Sequence, residues 1–346
     1  MGSVRIRQRL KELEKTNTNY AQLVEEFIRN DLTGFKRLYL KDREIKNLIL
    51  MGDFLTETIF REERQDNIIT RAEFEKRYEN TVYKTETSLS EEMDIDPEYA
   101  ALIVPTMVIC KDFMDLFNAE ALWMPGVSLL DGIAYDFGEK KNFIKSAHNF
   151  ENDILVAARN IAKRYSTGKD HIKGTTDLAL AIFDNMKKVH GMGDRERLLL
   201  QIAVQLHDCG KYISMGDVAE CSYQIIMATE IIGLSTEERQ IIANAVRYNT
   251  TEFVYYSEIA GEVGMDRSVY LLIAKLTAIL RIANAMDRSH YQKVKNMKAM
   301  LKDRTLLLTV DSEQDISLEL GLLMDKVEFF EEVFGIRLVF RRKRKV

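Results

Sequence analysis

The 346-residue chain has the length of two or three domains and an ordinary globular composition, with 46% hydrophobic and 30% charged residues. Its net charge of −5 argues against general affinity for nucleic acid. Cys110, Cys209 and Cys221 lack CxxC spacing, which argues against disulfides or a thiolate zinc site and favours a reducing cytoplasm. The charged N-terminus predicts no signal peptide, and the lack of an apolar run of about 18 residues predicts no membrane span.

The first part of the chain predicts helices mixed with a few strands. Residues 6–40 favour one or two helices, and the apolar run 46–53 predicts a short buried strand. Thr70 and Glu73 have the spacing of a capping box that opens a helix. Residues 121–137 predict a strand, a turn and a helix.

From about residue 143 the pattern becomes almost purely helical. Apolar residues recur at three- and four-residue spacing in the segments 143–165, 172–190, 194–207, 217–232, 236–248 and 267–287. The chain then predicts a strand over 304–311, a helix ending at Gly335 and a final strand over 336–343. A small strand-helix-strand cap is the natural closure of such a segment.

His207 and Asp208 are adjacent at the end of one predicted helix. An imidazole and a carboxylate in that position can reach the same divalent ion. His171 begins another predicted helix, and Asn284 and Asp287 form a polar break in a third. These helices would therefore converge polar groups on the His-Asp pair. The alternative is a capped helix end with a hydrogen-bonded core histidine.

The segments around this pair resemble a known family in order, spacing and flanking apolar residues. They are DHIKGTTDLALAIFDNM (170–186), LLLQIAVQLHDCGKYI (198–213), SYQIIMATEIIGLSTEERQIIANAVRYN (222–249) and LTAILRIANAMDRSH (276–290). Together they look like the HD-type helical domain of exopolyphosphatase and guanosine pentaphosphate phosphohydrolase proteins. Further segments resemble other parts of that family, so that the likeness covers nearly the whole chain: 2–10, 47–59, 69–77, 128–135 and 326–341.

The resemblance implies a mainly α fold in three parts. Residues 1–138 would form a partial α/β actin-like subdomain, 139–295 an HD-type all-α domain, and 296–346 a small α/β cap. The family likeness also implies a homodimer built through the helical domain. The partial sheet would expose a strand edge, which a second copy or an N-terminal partner chain would cover.

The family's phosphate-binding loops have no counterpart in this sequence. Those loops are rich in Gly, Ser and Thr because backbone amides must approach phosphate oxygens closely. No Asp-x-Gly-Ser motif occurs here, and a further glycine-rich turn survives only as Met51-Gly52-Asp53. We therefore expect the chain to begin after the loops, and we expect a partner chain to carry them.

The resemblance also marks the candidate ligands of a metal. His171, His207, Asp208 and Glu220 match or neighbour the family's ligand positions, whereas Asn284 stands where the family has its distal Asp. A further His of the family aligns with Asn249, and an Asn side chain cannot supply the anionic charge that holds a divalent ion. If a metal binds, the resemblance favours Mn, Mg or Fe.

Three cationic residues are candidates for contact with phosphate: Lys211, Arg281 and Arg288. The alternative for each is an ion pair with a neighbouring helix. The first hypothesis for function is a non-catalytic C-terminal portion that binds polyphosphate or guanosine polyphosphate and assembles the dimer. The second is a metal-dependent phosphohydrolase at the His-Asp pair, and the third is a scaffold or regulatory module.

Overall fold

The computed structural model describes residues 2–14, 19–40, 43–52, 54, 59, 67–146, 148–259, 266–294 and 296–343. Asp53 of the glycine turn therefore lies outside the described residues. The chain is mainly helical, as predicted, and divides into two compact units at 1–146 and 147–346. The segment after 295 shares the hydrophobic core of the second unit. The boundaries of the three predicted domains and the likeness to actin stay predictions.

The first unit consists of helices around a three-stranded sheet. Its elements are α1 (Ser3–Glu14), α2 (Tyr20–Phe35), a π-helical turn (Lys36–Leu40), β1 (Asn47–Ile49), β2 (Ile68–Thr70), α3 (Arg71–Val82), α4 (Glu86–Met93), α5 (Pro97–Phe117), β3 (Ala121–Trp123) and α6 (Leu129–Lys140). The sheet order is β1-β3-β2, with β3 parallel to β1 and antiparallel to β2. Its core packs α5 against the neighbouring helices and includes Ile28, Phe74, Ile103, Met107 and Leu122.

Local sequence signals decide where several of these elements begin. The predicted capping box is confirmed, because Thr70 accepts the Glu73 amide while the Glu73 carboxylate accepts the Thr70 amide. Asp96 caps α5, and Pro97 occupies its first turn, where a missing amide hydrogen does no harm. The strand predicted at 46–53 is present as the shorter β1, but it is not buried as predicted, because Asn47 and Ile49 are exposed and Leu48 is half-buried. Strand β2 was not predicted.

The second unit is a helical bundle closed by a second small sheet. Its elements are α7 (Phe150–Arg164), α8 (Lys169–Asn185), α9 (Lys187–His190), α10 (Asp194–Leu206), a 3-10 turn (Cys209–Tyr212), α11 (Val218–Ala228), α12 (Thr236–Arg247), α13 (Tyr256–Ile259), α14 (Arg267–Ala285), β4 (Asn296–Lys302), β5 (Thr305–Asp311), α15 (Ser317–Phe334) and β6 (Arg337–Arg342). The predicted helices are confirmed, although α7 begins later than 143 because Asn149 caps it.

The C-terminal segment forms the predicted strand, helix and strand, with one strand more. β4 and β5 are antiparallel, and Asp303 and Arg304 adopt the left-handed φ angles that a two-residue hairpin requires. Gly335 ends α15 at a φ of +63°, and β6 then pairs parallel to β5. Alternate residues of β5 are buried in the core of the unit.

Helix α14 is the central element of the second unit. It is long and apolar enough to cross a membrane by length and composition alone. Its apolar residues are nevertheless enclosed by protein, since Leu276, Ile279 and Ile282 have no exposed surface and pack with α8, α12 and α15. The core of a helical bundle explains its composition.

Candidate metal centre

Three helix ends of the second unit bring a group of histidines and carboxylates together. His171 lies in the first turn of α8, His207 is the C-terminal cap of α10, and Asp208 follows it. Asp287 and His290 lie in the turn after α14. Three of the five histidines of the chain thus meet at one place.

The ligand atoms lie within reach of a single ion. The Nε2 atoms of His171 and His207 are 3.1 Å apart. Asp208 Oδ1 is 3.6 Å from His207 Nε2, and Asp208 Oδ2 is 4.0 Å from His171 Nε2. Among the described residues, these three side chains are the one group of His, Cys, Asp and Glu with a metal-binding arrangement.

The hydrogen bond at Nδ1 fixes the orientation of each ring, so that the Nε2 atoms of His171 and His207 face each other. His171 Nδ1 lies 2.7 Å from Asp287 Oδ2, and His207 Nδ1 lies 2.7 Å from the Val204 carbonyl oxygen. Both partners are acceptors, so each Nδ1 atom carries a proton. The two Nε2 atoms face each other, an arrangement that is stable only with a proton or a cation between them.

The spacing fits one metal ion. Two nitrogens 3.1 Å apart, each at ~2.05 Å from a common ion, would subtend about 98° at that ion. That angle suits tetrahedral or octahedral coordination. Two imidazoles with one carboxylate favour Zn, Mn or Fe over Mg, which prefers an all-oxygen set. A carboxylate behind a ligating histidine is the usual support of such a site.

Asp287 is itself held firmly. Gln292 donates its backbone N–H to Asp287 Oδ1 at 2.8 Å and its side-chain amide to Asp287 Oδ2 at 3.2 Å. His290 and Gln292 both have left-handed φ angles, which let the turn fold back on Asp287. Burial alone would raise the pKa of Asp287, but hydrogen bonds from His171 and Gln292 outweigh it and lower that pKa.

Electrostatics keeps the ligand atoms in the forms that bind metal. Burial lowers the pKa of His207, so its ring is neutral at pH 7. For Asp208, burial acts to raise the pKa, but His207 and a 2.5 Å contact from Lys211 Nζ lower it overall. The centre therefore presents a neutral His207 ring and an ionised Asp208 carboxylate.

His290 covers the centre on the solvent side. Its ring stacks on that of His171, with centroids 3.6 Å apart and planes 5° from parallel. Its Nε2 lies 3.9 Å from Asp208 Oδ2, and burial together with the nearby His171 and Lys211 lowers its pKa. The side chain is more exposed than those of His171 and His207, so it can meet an incoming ligand.

The chain after Asp208 passes so close to α11 that Gly210 leaves no room for a side chain. A Cβ on Gly210 would lie 2.3 Å from the Val218 carbonyl oxygen and 2.6 Å from the Ser222 backbone nitrogen. The Gly210 amide instead donates to Ser222 Oγ at 2.8 Å. This close approach ties the His207-Asp208 segment to α11.

Two residues of the predicted ligand set lie elsewhere. Glu220 pairs with Arg247 at 2.9 Å and accepts from Gln224, so its placement in the centre was wrong. Asn284 is buried one turn before Asp287, and within the described part of the chain its side chain forms no hydrogen bond. The carboxylate that contacts His171 is that of Asp287, so the centre is more acidic than the sequence comparison implied.

The predicted phosphate contacts differ in their surroundings. Lys211 lies at the centre, against Asp208. Arg281 does not flank it, which corrects that expectation: its guanidinium donates to the Tyr248 and Thr251 carbonyls and stacks on Phe329. Arg288 is exposed beside Asp287 and pairs with no carboxylate among the described residues.

Sequence reasoning missed the roles of Asp287 and His290. Asp287 was noticed only as a polar break in an apolar helix, and His290 was given no role. The available signal was their spacing, since a carboxylate and a histidine three residues apart follow directly on the buried end of α14. What joins them to His171 is the left-handed turn, which has no clear signature in DRSHYQ.

Comparison with protein families agrees with this architecture. The profile of the Ppx/GppA phosphatase family, domain III, matches residues 156–328, which is half of the chain and contains every residue of the centre. The chain therefore belongs to the Ppx/GppA phosphatase family. No curated protein matches it significantly.

Proposed function

We propose that the second unit binds a divalent metal at His171, His207 and Asp208 and acts there as a metal-dependent phosphohydrolase. The observation that carries the proposal is the pair of Nε2 atoms 3.1 Å apart, beside the Asp208 carboxylate. Their Nδ1 atoms are turned to acceptors, so the two Nε2 atoms require a proton or a metal cation between them, and the adjacent carboxylate favours the metal cation.

The protein side chains have separate tasks in this proposal. Asp287 and the Val204 carbonyl orient the two rings, and Asp208 supplies the negative charge. A bound metal would polarise a phosphoryl oxygen and acidify a water molecule. Lys211 and the exposed Arg288 would neutralise the remaining phosphate charge, and His290 lies where it can exchange a proton with a ligand.

Family membership supports polyphosphate or guanosine polyphosphate as the substrate class. Both contain phosphoanhydride bonds, and the negative charge around such a bond calls for cations beside it. Lys211 lies 2.5 Å from Asp208 and is part-exposed, so its remaining ammonium hydrogens are available to a ligand.

Metal content and phosphate release test the proposal together. Protein purified without chelator should contain close to one equivalent of Mn, Fe or Zn. Phosphate release from polyphosphate and guanosine tetraphosphate, assayed with Mn, Mg or Fe, should vanish in Asp208→Ala. Asp325→Ala removes an exposed carboxylate of α15 and should change neither result. Less than about a tenth of an equivalent of metal, with activity unaffected by Asp208→Ala, would sink the proposal.

A second candidate function is binding without catalysis, as the C-terminal portion of a divided enzyme. Two observations favour it: the sequence lacks the Asp-x-Gly-Ser phosphate loops, and α6 exposes large apolar side chains that suit a homodimer or an N-terminal partner chain. They are Leu129, Leu130, Ile133, Tyr135 and Phe137. Supporting results would be a dimer by light scattering that dissociates in Leu130→Ser/Ile133→Ser, and a melting temperature raised by polyphosphate without phosphate release. If the protein contains no metal and shows neither of these responses, the remaining explanation is a scaffold.

A further inference from the structure

A cleft separate from the metal centre lies between α7, α8 and α10. Its volume is about 560 Å³, within the range of about 300–1,000 Å³ usual for small-molecule sites. Apolar groups dominate its lining, including Ala162, Ile172 and the stems of long cationic side chains. A cleft of this size and character can enclose an organic molecule.

The rim of the cleft is strongly cationic. Arg159, Lys163, Lys169 and Lys173 line it, against the single carboxylate of Asp177. The three lysines are exposed and form no ion pair with any described residue. The chain as a whole carries a net charge of −5, so this concentration of positive charge is local. Such a rim attracts an anion, and above all a phosphate.

The start of α8 adds to this field. Gly168 caps the helix without a side-chain hydrogen bond, so the first-turn amides have no capping acceptor. Thr167 and Lys169, which flank that cap, line the cleft. Free amides and the positive end of the helix dipole favour a phosphate oxygen there.

The floor of the cleft holds a polar group that lacks a partner. Gln205 lines the cleft and is only 4% exposed, yet its side chain forms no hydrogen bond among the described residues. Its Oε1 has neither a partner nor contact with solvent, so the side chain must turn toward the cleft before a ligand can reach this atom. A buried amide of this kind costs stability unless a ligand or water pairs with it, and an amide can match the donor and acceptor edge of a heterocycle.

The cleft and the metal centre occupy opposite faces of the same helices. Lys169, Lys173 and Thr176 share one face of α8. His171 lies about 200° around the helix from Lys173 at 3.6 residues per turn. The same interval of two residues separates Gln205 from His207 on α10. The cleft is therefore a second site and does not rest on metal binding.

We propose that this cleft binds a phosphomonoester that carries an organic group of nucleoside size. The phosphate lies at the lysine rim and the first turn of α8. The organic group occupies the apolar floor and pairs with Gln205. Inorganic phosphate alone leaves that floor empty, and a nucleoside alone leaves the lysines unused, so tight binding needs both parts.

Calorimetric titration of the full chain tests the proposal. The probes are adenosine and guanosine 5′-monophosphates, with inorganic phosphate, tripolyphosphate and the free nucleosides as partial ligands. At least one monophosphate should bind with a Kd below about 1 mM and at least about tenfold more tightly than any partial ligand. Lys163→Ala/Lys173→Ala should weaken it at least about tenfold. Lys298→Ala/Lys302→Ala removes two exposed lysines of β4 and should leave it unchanged.

Two further variants locate the bound molecule. Gln205→Leu should weaken the monophosphate about tenfold while phosphate alone is unaffected, in protein whose thermal unfolding confirms a folded chain. Asp208→Asn alters the metal centre and should not change the Kd. No binding of either monophosphate, binding lost with Asp208→Asn, or binding equal to that of tripolyphosphate would each overturn the proposal.

Discussion

The two units of the chain differ in what they bury and what they expose. Among the described residues, almost every buried polar or charged side chain lies in the second unit, whereas the first buries little besides Thr106. Conversely, most of the exposed large apolar side chains lie in the first unit, although it is the shorter one. The second unit therefore encloses most of the buried polar and charged groups, and the first exposes more apolar surface.

This contrast separates function from assembly. A buried histidine or carboxylate is unfavourable unless partners satisfy it, so a cluster of them signals a site. An exposed apolar helix such as α6 is unfavourable in water and signals an interface.

Loss of a phenylalanine ring from one hydrophobic core should destabilise only the unit to which that core belongs. Phe183 belongs to the core of the second unit and Phe74 to that of the first, and both are completely buried. Each change to Ala should lower the free energy of unfolding by about 3–5 kcal/mol. Trp123, the one tryptophan, lies in the first unit, so its fluorescence in urea should shift for Phe74→Ala only, while the circular dichroism of the helices shifts for both. A fluorescence midpoint moved equally by both variants would show one cooperative unit and refute the separation.

Substitution of Asp287, the carboxylate behind His171, tests whether the buried polar groups of the second unit support metal binding. Asp287→Asn removes the negative charge behind the His171 ring, and metal affinity should fall by about 10- to 100-fold. Competition with a fluorescent chelator measures it. Asp325→Asn, on the surface of α15, is the matched control. If Asp287→Asn and Asp325→Asn bind metal with equal affinity, the contact between Asp287 and His171 stabilises the fold and does not support a metal.

Replacing a glycine by alanine should lower stability at Gly210 in the second unit and raise it at Gly34 in the first. At Gly210 the new Cβ would meet the backbone of α11 at 2.3 Å, and the loss of stability should be about 1–3 kcal/mol. Gly34 lies within α2 with nothing within 4 Å of such a Cβ, and alanine there should stabilise by about 0.5–1 kcal/mol. Thermal melts of both variants decide the signs, and a neutral Gly210→Ala would disprove the close approach.

The two units should also respond to pH in opposite directions. Burial raises the pKa of Asp112 in the first unit from 3.8 to about 6, helped by Glu25. The folded unit keeps a proton that the unfolded chain has lost, so its stability falls as pH rises from about 4 to 6. Asp112→Asn should remove this dependence.

His190 gives the second unit the reverse behaviour. Burial lowers its pKa below 6.5, and its ring is fixed as neutral by the Phe183 carbonyl and the Met192 amide. Below pH 6.5, His190 is protonated in the unfolded chain but remains neutral in the folded unit. The stability of the second unit therefore falls as the pH drops below 6.5. Urea midpoints from fluorescence and from circular dichroism between pH 4.5 and 7.5 should therefore diverge. Parallel midpoints at every pH would contradict the assignment.

The sequence predicted the helical second unit well, because its helices carry strong periodicity and local caps. Segments such as 194–207 and 236–248 show an apolar repeat that is visible without tertiary information, although the fold buries nearly every side of their C-terminal halves. The short strands β2 and β4 escaped prediction, since three residues of β2 hold no period and β4 alternates weakly between exposed and half-buried positions. Pairing with β3 and β5 defines them.

At the centre, three features can be recognised without tertiary information: the His207-Asp208 pair, the place of His171 near the start of α8, and the resemblance to the family. Only the tertiary structure decided that Asp287 and His290 join them while Glu220 and Arg281 turn to other partners. The physical reason is that a ligand set depends on the direction of each side chain across helices far apart in sequence. Periodicity fixes which face of a helix is buried, but not which buried groups meet.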